Sequence, residues 1–246
     1  MAPPSGRLTS HEAFRRAVQD FAGDVARALG ALGEGQTPQM LALLEDDAGF
    51  VRPMGRGQVL RSGDEDVLTL QSRFKVTRDG SESYLRVEES QVRVLPVGGR
   101  RPVFRYEYER SKEARSQPAA HLQIHGTHSE LVAMMHSAGR QGSRSSEVQG
   151  VPDITDLHFP VGGTRFRPCL EDVLEFLVHE FRLDVGHDRG TALAVLRQGR
   201  VRWREQQLRA AVRDAPWVAV EVLQELGVLE AEGQLARVVP ETWSRL

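Results

Sequence analysis

The sequence predicts an α+β chain: an antiparallel meander of about five or six strands, packed by helices and followed by a helical C-terminal part. Apolar residues recur at helical spacing near the N-terminus. They alternate with polar ones from Val67 to about His125, and return to helical spacing beyond Pro168. The short connections in the alternating part leave no room for parallel crossovers.

The first helix is read over residues 10–30, where Phe14, Val18, Phe21, Val25, Ala28 and Leu29 form one stripe. Ser10 is its N-cap, and Gly30 and Gly33 stop it. Met40, Leu41, Leu43 and Leu44 suggest a second short helix from Pro38 to Glu45, and the Pro/Gly-rich stretch from Arg52 to Gly63 reads as a loop. Leu68, Leu70, Phe74 and Val76 then alternate up to Asp79-Gly80, a hairpin turn. Strands follow over 84–88, 92–97, 103–110 and 119–125, with Gly98-Gly99 as another turn. Leu131, Val132, Met134 and Met135 mark a short helix, and residues 140–150 a flexible loop where proteolysis should begin at Arg140 or Arg144. An extended piece, Leu157 to Val161, leads through Gly162-Gly163 to a helix opened by Pro168 and striped by Leu170, Val173, Leu174, Leu177, Val178 and Phe181. Two helices, about 188–214 and 216–226, close the reading. The domain assignment is a core over residues 1–183 and a helical extension over 184–246.

The formal net charge of −2 gives no whole-chain reason to bind nucleic acid or an anionic membrane. No apolar run reaches the roughly 20 residues that span a bilayer, and the first residues lack a signal core. The single cysteine, Cys169, fits a reducing compartment, so the expected location is the cytoplasm. Lys75 and Lys112 are the only lysines among 32 basic residues, a bias that a GC-rich genome produces through its codons. Arginine forks also suit phosphate and carboxylate.

Chemistry concentrates in three places. In His121-Leu122-Gln123-Ile124-His125, alternation puts Leu122 and Ile124 on one face and His121, Gln123 and His125 on the other. With the aliphatic pair toward the core, both histidines face the open side of the sheet. There they could meet His158 around a metal ion, or do acid/base work on a phosphate ester. Gln123 stands where the histidine-triad pattern needs its nucleophile, and Gln123 and Pro160 stand where the two-histidine phosphoesterase pattern needs Ser or Thr. The second place is Gly162-Gly163-Thr164-Arg165-Phe166-Arg167, where a Gly-Gly turn and two alternating arginines form an anion clamp ahead of a helix. The third is residues 182–214, where eight arginines stand against four acids. Arg200, Arg202 and Arg204 are the side chains that would follow a nucleic-acid backbone, against the plain alternative of a solvated helix face. Cys169 reads as a buried structural thiol. Ser143, Ser145 and Ser146 have no nucleophile elbow, which excludes serine hydrolysis.

Phe104-Arg105-Tyr106-Glu107-Tyr108, the histidine-bearing segment and the helix Leu170-Glu171-Asp172-Val173-Leu174-Glu175-Phe176-Leu177 together resemble the small TumE-type bacterial toxin family, over roughly residues 67–180. The resemblance implies a strand meander with a histidine-rich segment and a closing helix. The stretch from His158 to Phe181 is similar to a segment recurring in uncharacterised proteins of GC-rich actinobacteria. Two functional expectations follow. The first is a non-catalytic interaction or regulatory protein of a bacterial cytoplasm, such as a subunit of a stress or defence system, with a protein partner on its C-terminal helices. The second is a toxin-like effector acting on RNA or another phosphate ester, with His121, His125 and His158 catalytic and Arg165, Arg167, Gly162 and Gly163 holding phosphate. Metal and cofactor stay open.

Overall fold

The alternation that begins at Val67 builds the two longest strands of the molecule. In the computed structural model these are β4 (Glu65–Arg78) and β5 (Leu85–Pro96). The structure describes residue 8 and residues 10–33, 37–110, 117–126, 128–138, 141–143, 146, 148–162, 166–186 and 188–229. Around β4 and β5 stand β1 (Met40–Glu45), β2 (Ala48–Pro53), β3 (Gln58–Ser62), β6 (Phe104–Glu109), β7 (Ala120–Ile124) and β8 (Phe159–Pro160). All pairings are antiparallel, in the order β1-β2-β4-β5-β6-β7-β8, with β3 also paired to β4. The helices are α1 (His11–Gly30), α2 (Ser129–Ser137), α3 (Leu170–Glu180), α4 (Arg189–Asp214) and α5 (Pro216–Glu225).

One sheet face carries the core. Leu68, Leu70, Phe74, Val76, Val92 and Val94 point toward α1 and α3, whose Phe14, Val18, Val25, Val173, Leu174, Leu177 and Val178 are buried against them. Phe21 meets Phe74 edge-on at 5.4 Å between ring centroids, and Phe104 meets Phe176 at 5.9 Å. Ser10 caps α1, its Oγ accepting from the Ala13 amide at 3.1 Å. Asp79 closes the β4–β5 hairpin by accepting from the amides of Ser83 and Tyr84 at 2.8 and 2.9 Å. Leu183, Ala192, Leu193 and Leu196 belong to the same core cluster, so the first half of α4 packs on it.

The sheet is larger than the meander alone. The helix expected over 38–45 is strand β1. Its apolar residues pair with β2 across a tight turn in which Asp46 adopts φ 49°, and the ladder from Met40↔Pro53 to Glu45↔Ala48 overrides the local helical pattern. The loop expected over 52–63 contains the end of β2 and all of β3. Only Leu60 of β3 is buried, so its period-two signal is one residue deep. The two strands expected at 84–88 and 92–97 are one continuous β5.

Candidate functional site

Register decides what lies on the face opposite the core. Across β4, β5, β6 and β7 it aligns Gln71, Arg93, Arg105 and Gln123 in one row, and Arg73, Gln91, Glu107 and His121 in the next. Leu122 sits beside Tyr106 and Ile124 beside Phe104, on the helix-packed face, as alternation predicts. The histidine face, however, is not open at this end. The 3-10 turn at Ile154–Asp156 packs on β7 there, β8 extends the sheet beside β7, and His121 and Gln123 are buried.

The cover is held by carboxylates that sequence reasoning missed. Asp153 caps the turn by accepting from the Thr155 amide at 2.7 Å. Asp156 accepts from the amides of Asp153 and Ser143 at 3.0 Å each and from the Ser146 hydroxyl at 2.8 Å. The Asp153-Ile154-Thr155-Asp156 capping box was the available signal. Gln123 Nε2 donates to the Thr155 carbonyl and lies 3.4 Å from His158 Nε2.

Beneath the cover, His121 Nδ1 stands 3.0 Å from the Pro118 carbonyl and Nε2 3.3 Å from Glu107 Oε2. The His121 and His158 rings meet edge-on at 4.7 Å. Arg105 Nε reaches Gln123 Oε1 at 2.6 Å and Glu107 Oε2 at 3.1 Å, and Gln91 donates to Glu107 as well. Burial alone would raise the Glu107 pKa. The His121 ring, the Arg105 charge and the Gln91 amide outweigh it and hold the carboxyl at about 2.

His125 stands apart. It lies four residues along the strand direction from His121, roughly 13 Å by strand rise, and its amide donates to the Val103 carbonyl at 2.7 Å. Both ring nitrogens are buried without a hydrogen-bond partner. Burial, with the charges of Arg105, Arg101 and Arg93 outweighing Asp153, pushes its pKa down to about 4, so the ring is neutral at pH 7. The structure thus joins His121 to His158 and leaves His125 elsewhere. Among the described residues no cluster of His, Cys, Asp and Glu has metal-ligand geometry.

Arg167 of the expected anion clamp is not on this face. Arg167 is buried on the helix side, its guanidinium 3.8 Å from the Tyr108 ring centroid and 5.8 Å from that of Trp203. Gly162 adopts φ 79°, and a Cβ there would sit 2.3 Å from the Phe166 carbonyl oxygen, so the turn itself requires glycine. Gly163 and Arg165 lie outside the described residues, as do Arg140 and Arg144. Burial, then Glu171 and Asp172, push the Cys169 thiol pKa far up, which removes it as a nucleophile.

The arginine run of α4 faces the acids of α3. Arg200 lies 2.5 Å from both Asp172 Oδ1 and Glu175 Oε2, and only 17% of its side chain is exposed, so it is not offered to a nucleic-acid backbone. Arg197, Arg204 and Arg202 form looser contacts with Glu175, Asp172 and Asp24, at 3.6, 3.9 and 3.9 Å. Beyond Gly199, the last buried residue of α4, the chain leaves apolar side chains in solvent: Val201, Leu208 and Val212 on α4, Val218, Val222 and Leu223 on α5, then Leu226 and Val228.

No protein-family model, curated protein or solved structure matches this chain. No helix among the described residues is long and apolar enough to cross a membrane.

Proposed function

We propose that this chain is a non-catalytic interaction protein that docks a protein partner through the apolar face of α4 and α5. The observation that carries the proposal is the exposure of that face. Leu208, Leu226 and Val228 are 65%, 69% and 71% exposed in a run where three branched aliphatics also stand open on α5. Arg202, Arg204, Arg209 and Arg213 are exposed beside it, which favours a partner offering an apolar ridge with an acidic rim. Burial of His121 supports the same reading, because a closed imidazole bonded into a sheet network meets no substrate. The TumE-type resemblance supports placing the protein in a bacterial stress or defence system. The experiment is site-specific photocrosslinking from position 208 in cells. The captured protein is identified, purified and titrated against wild type and the Leu208→Asp/Leu226→Asp variant. Equal affinity for both would remove the proposal.

One observation favours the effector reading: a neutral imidazole, His125, with unpartnered nitrogens beside Arg93, Arg101 and Arg105. That is a general base near cations that would hold a phosphate ester. RNA hydrolysis lost in His125→Ala and retained in Leu208→Asp/Leu226→Asp would put this reading first.

A further inference from the structure

Among the described residues, the 3-10 turn covers the polar face of the sheet at its β7 end. Toward β1 that face forms an open groove of about 340 Å³, within the size range of small-molecule sites. Its floor is a row set by register: Leu43, Phe50, Lys75, Glu89 and Glu109 follow one another across β1, β2, β4, β5 and β6. Leu41 pairs with Arg52 in the neighbouring row, and Arg73 lines the groove beside them. A β-bulge between Lys75 and Val76 lies in this floor, and bulges bend a strand and re-aim its side chains.

Chemistry is segregated along the groove. The β1–β2 end is apolar, with Leu43 46% exposed and Leu41 and Phe50 half-buried. The middle is cationic, and the β5–β6 end acidic. The charges are unequally occupied, and this decides the sign of the ligand. Glu107 is engaged by Arg105, His121 and Gln91. Glu89 is 3.3 Å from Lys75, which also sits 5.9 Å from the Phe50 ring centroid. Arg73 has no hydrogen-bond or ion-pair partner among the described residues, and Arg52 reaches only the Pro53 carbonyl at 3.3 Å. Two arginine forks therefore remain beside three apolar side chains.

We propose that this groove binds an amphiphilic organic anion, its carboxylate or phosphate head on Arg52 and Arg73 and its apolar body along Leu41, Leu43 and Phe50. Planar guanidinium forks take such heads in bidentate fashion. The body removes from water the exposed apolar end of the sheet, and the acidic end keeps the head at the arginines. The inference does not depend on the α4–α5 face, which lies on other elements.

The test is calorimetric titration of the full chain with laurate, below its micelle concentration. One saturable site is expected. Arg52→Glu/Arg73→Glu should weaken it by at least about tenfold, or 1.4 kcal/mol, with the melting temperature unchanged because both arginines are exposed. Leu43→Ser should weaken it as well, dodecanol should bind at least tenfold less tightly than laurate, and Leu208→Asp/Leu226→Asp should leave binding intact. Absence of saturable binding, equal binding of dodecanol, or full retention in the arginine variant would each overturn the proposal. So would loss confined to the α4–α5 variant, which would move the site to that face.

Discussion

Replacing Glu107 by glutamine should remove a measurable share of the acid sensitivity of folding. The carboxyl is held at about 2 against an ordinary 4.5 by His121, Arg105 and Gln91 despite its burial. That difference corresponds to about 3 kcal/mol. Because the folded-state pKa is depressed, the contribution is complete above about pH 4.5 and is lost as pH falls toward 2. Asp79, Asp156, Asp172 and Glu175 are also held low, so the wild-type curve alone cannot isolate Glu107. The difference between wild type and Glu107→Gln can. Urea unfolding at intervals from pH 2 to 7 should show the variant about 3 kcal/mol less stable at neutral pH, the gap closing below pH 4. A constant gap across that range would refute the network described around Glu107, and a carboxyl titrating near 4.5 by NMR would do so independently.

Other substitutions probe the core and the isolated histidine. Leu174→Asp should leave no soluble folded protein, since the side chain is fully buried and an unpaired carboxylate there costs several kcal/mol; circular dichroism decides it. Gly49→Ala should destabilise by about 1–3 kcal/mol, because its Cβ would lie 2.7 Å from Val18 Cγ2 and 3.0 Å from Val76 Cγ2; a melting temperature at or above wild type would contradict that packing. His125, lowered to about 4 from 6.5, refuses a proton that the unfolded chain accepts. Stability should therefore fall by about 2 kcal/mol as pH drops from 6.5 to 4, and His125→Gln should lack this step in the same unfolding series.

The elements legible in the sequence are those whose periodicity is long and whose burial is one-sided. Helix α1, the β4–β7 meander and α3 all satisfy that, and Ser10 and Asp79-Gly80 marked their ends through local capping and turn chemistry. β1 and β3 were hidden because their signal is not local. Met40 to Leu44 becomes a strand only by pairing with β2, and β3 buries a single leucine against β4. For the site, alternation placed His121 on the correct face, but nothing near it in the chain foretells the cover by the 3-10 turn at Ile154–Asp156. That cover depends on Asp156 reaching back to Ser143 and Ser146. Arg200 was visible as a charge, while its partners Asp172 and Glu175 stand 28 and 25 residues away on another helix. The groove was invisible for the same reason: its floor joins residues from Leu41 to Glu109 that only register makes neighbours.

We propose that this chain docks a partner through the open apolar face of α4 and α5. Fluorescence anisotropy with the purified protein captured from position 208 tests it most directly, comparing wild type, Leu208→Asp/Leu226→Asp and His125→Ala. Placing carboxylates at two anchors of a buried interface removes about 3 kcal/mol or more. The predicted result is at least a hundredfold loss for the double variant with unchanged melting, and wild-type affinity for His125→Ala. Wild-type affinity in the double variant, or a loss that follows His125 instead, would contradict the account.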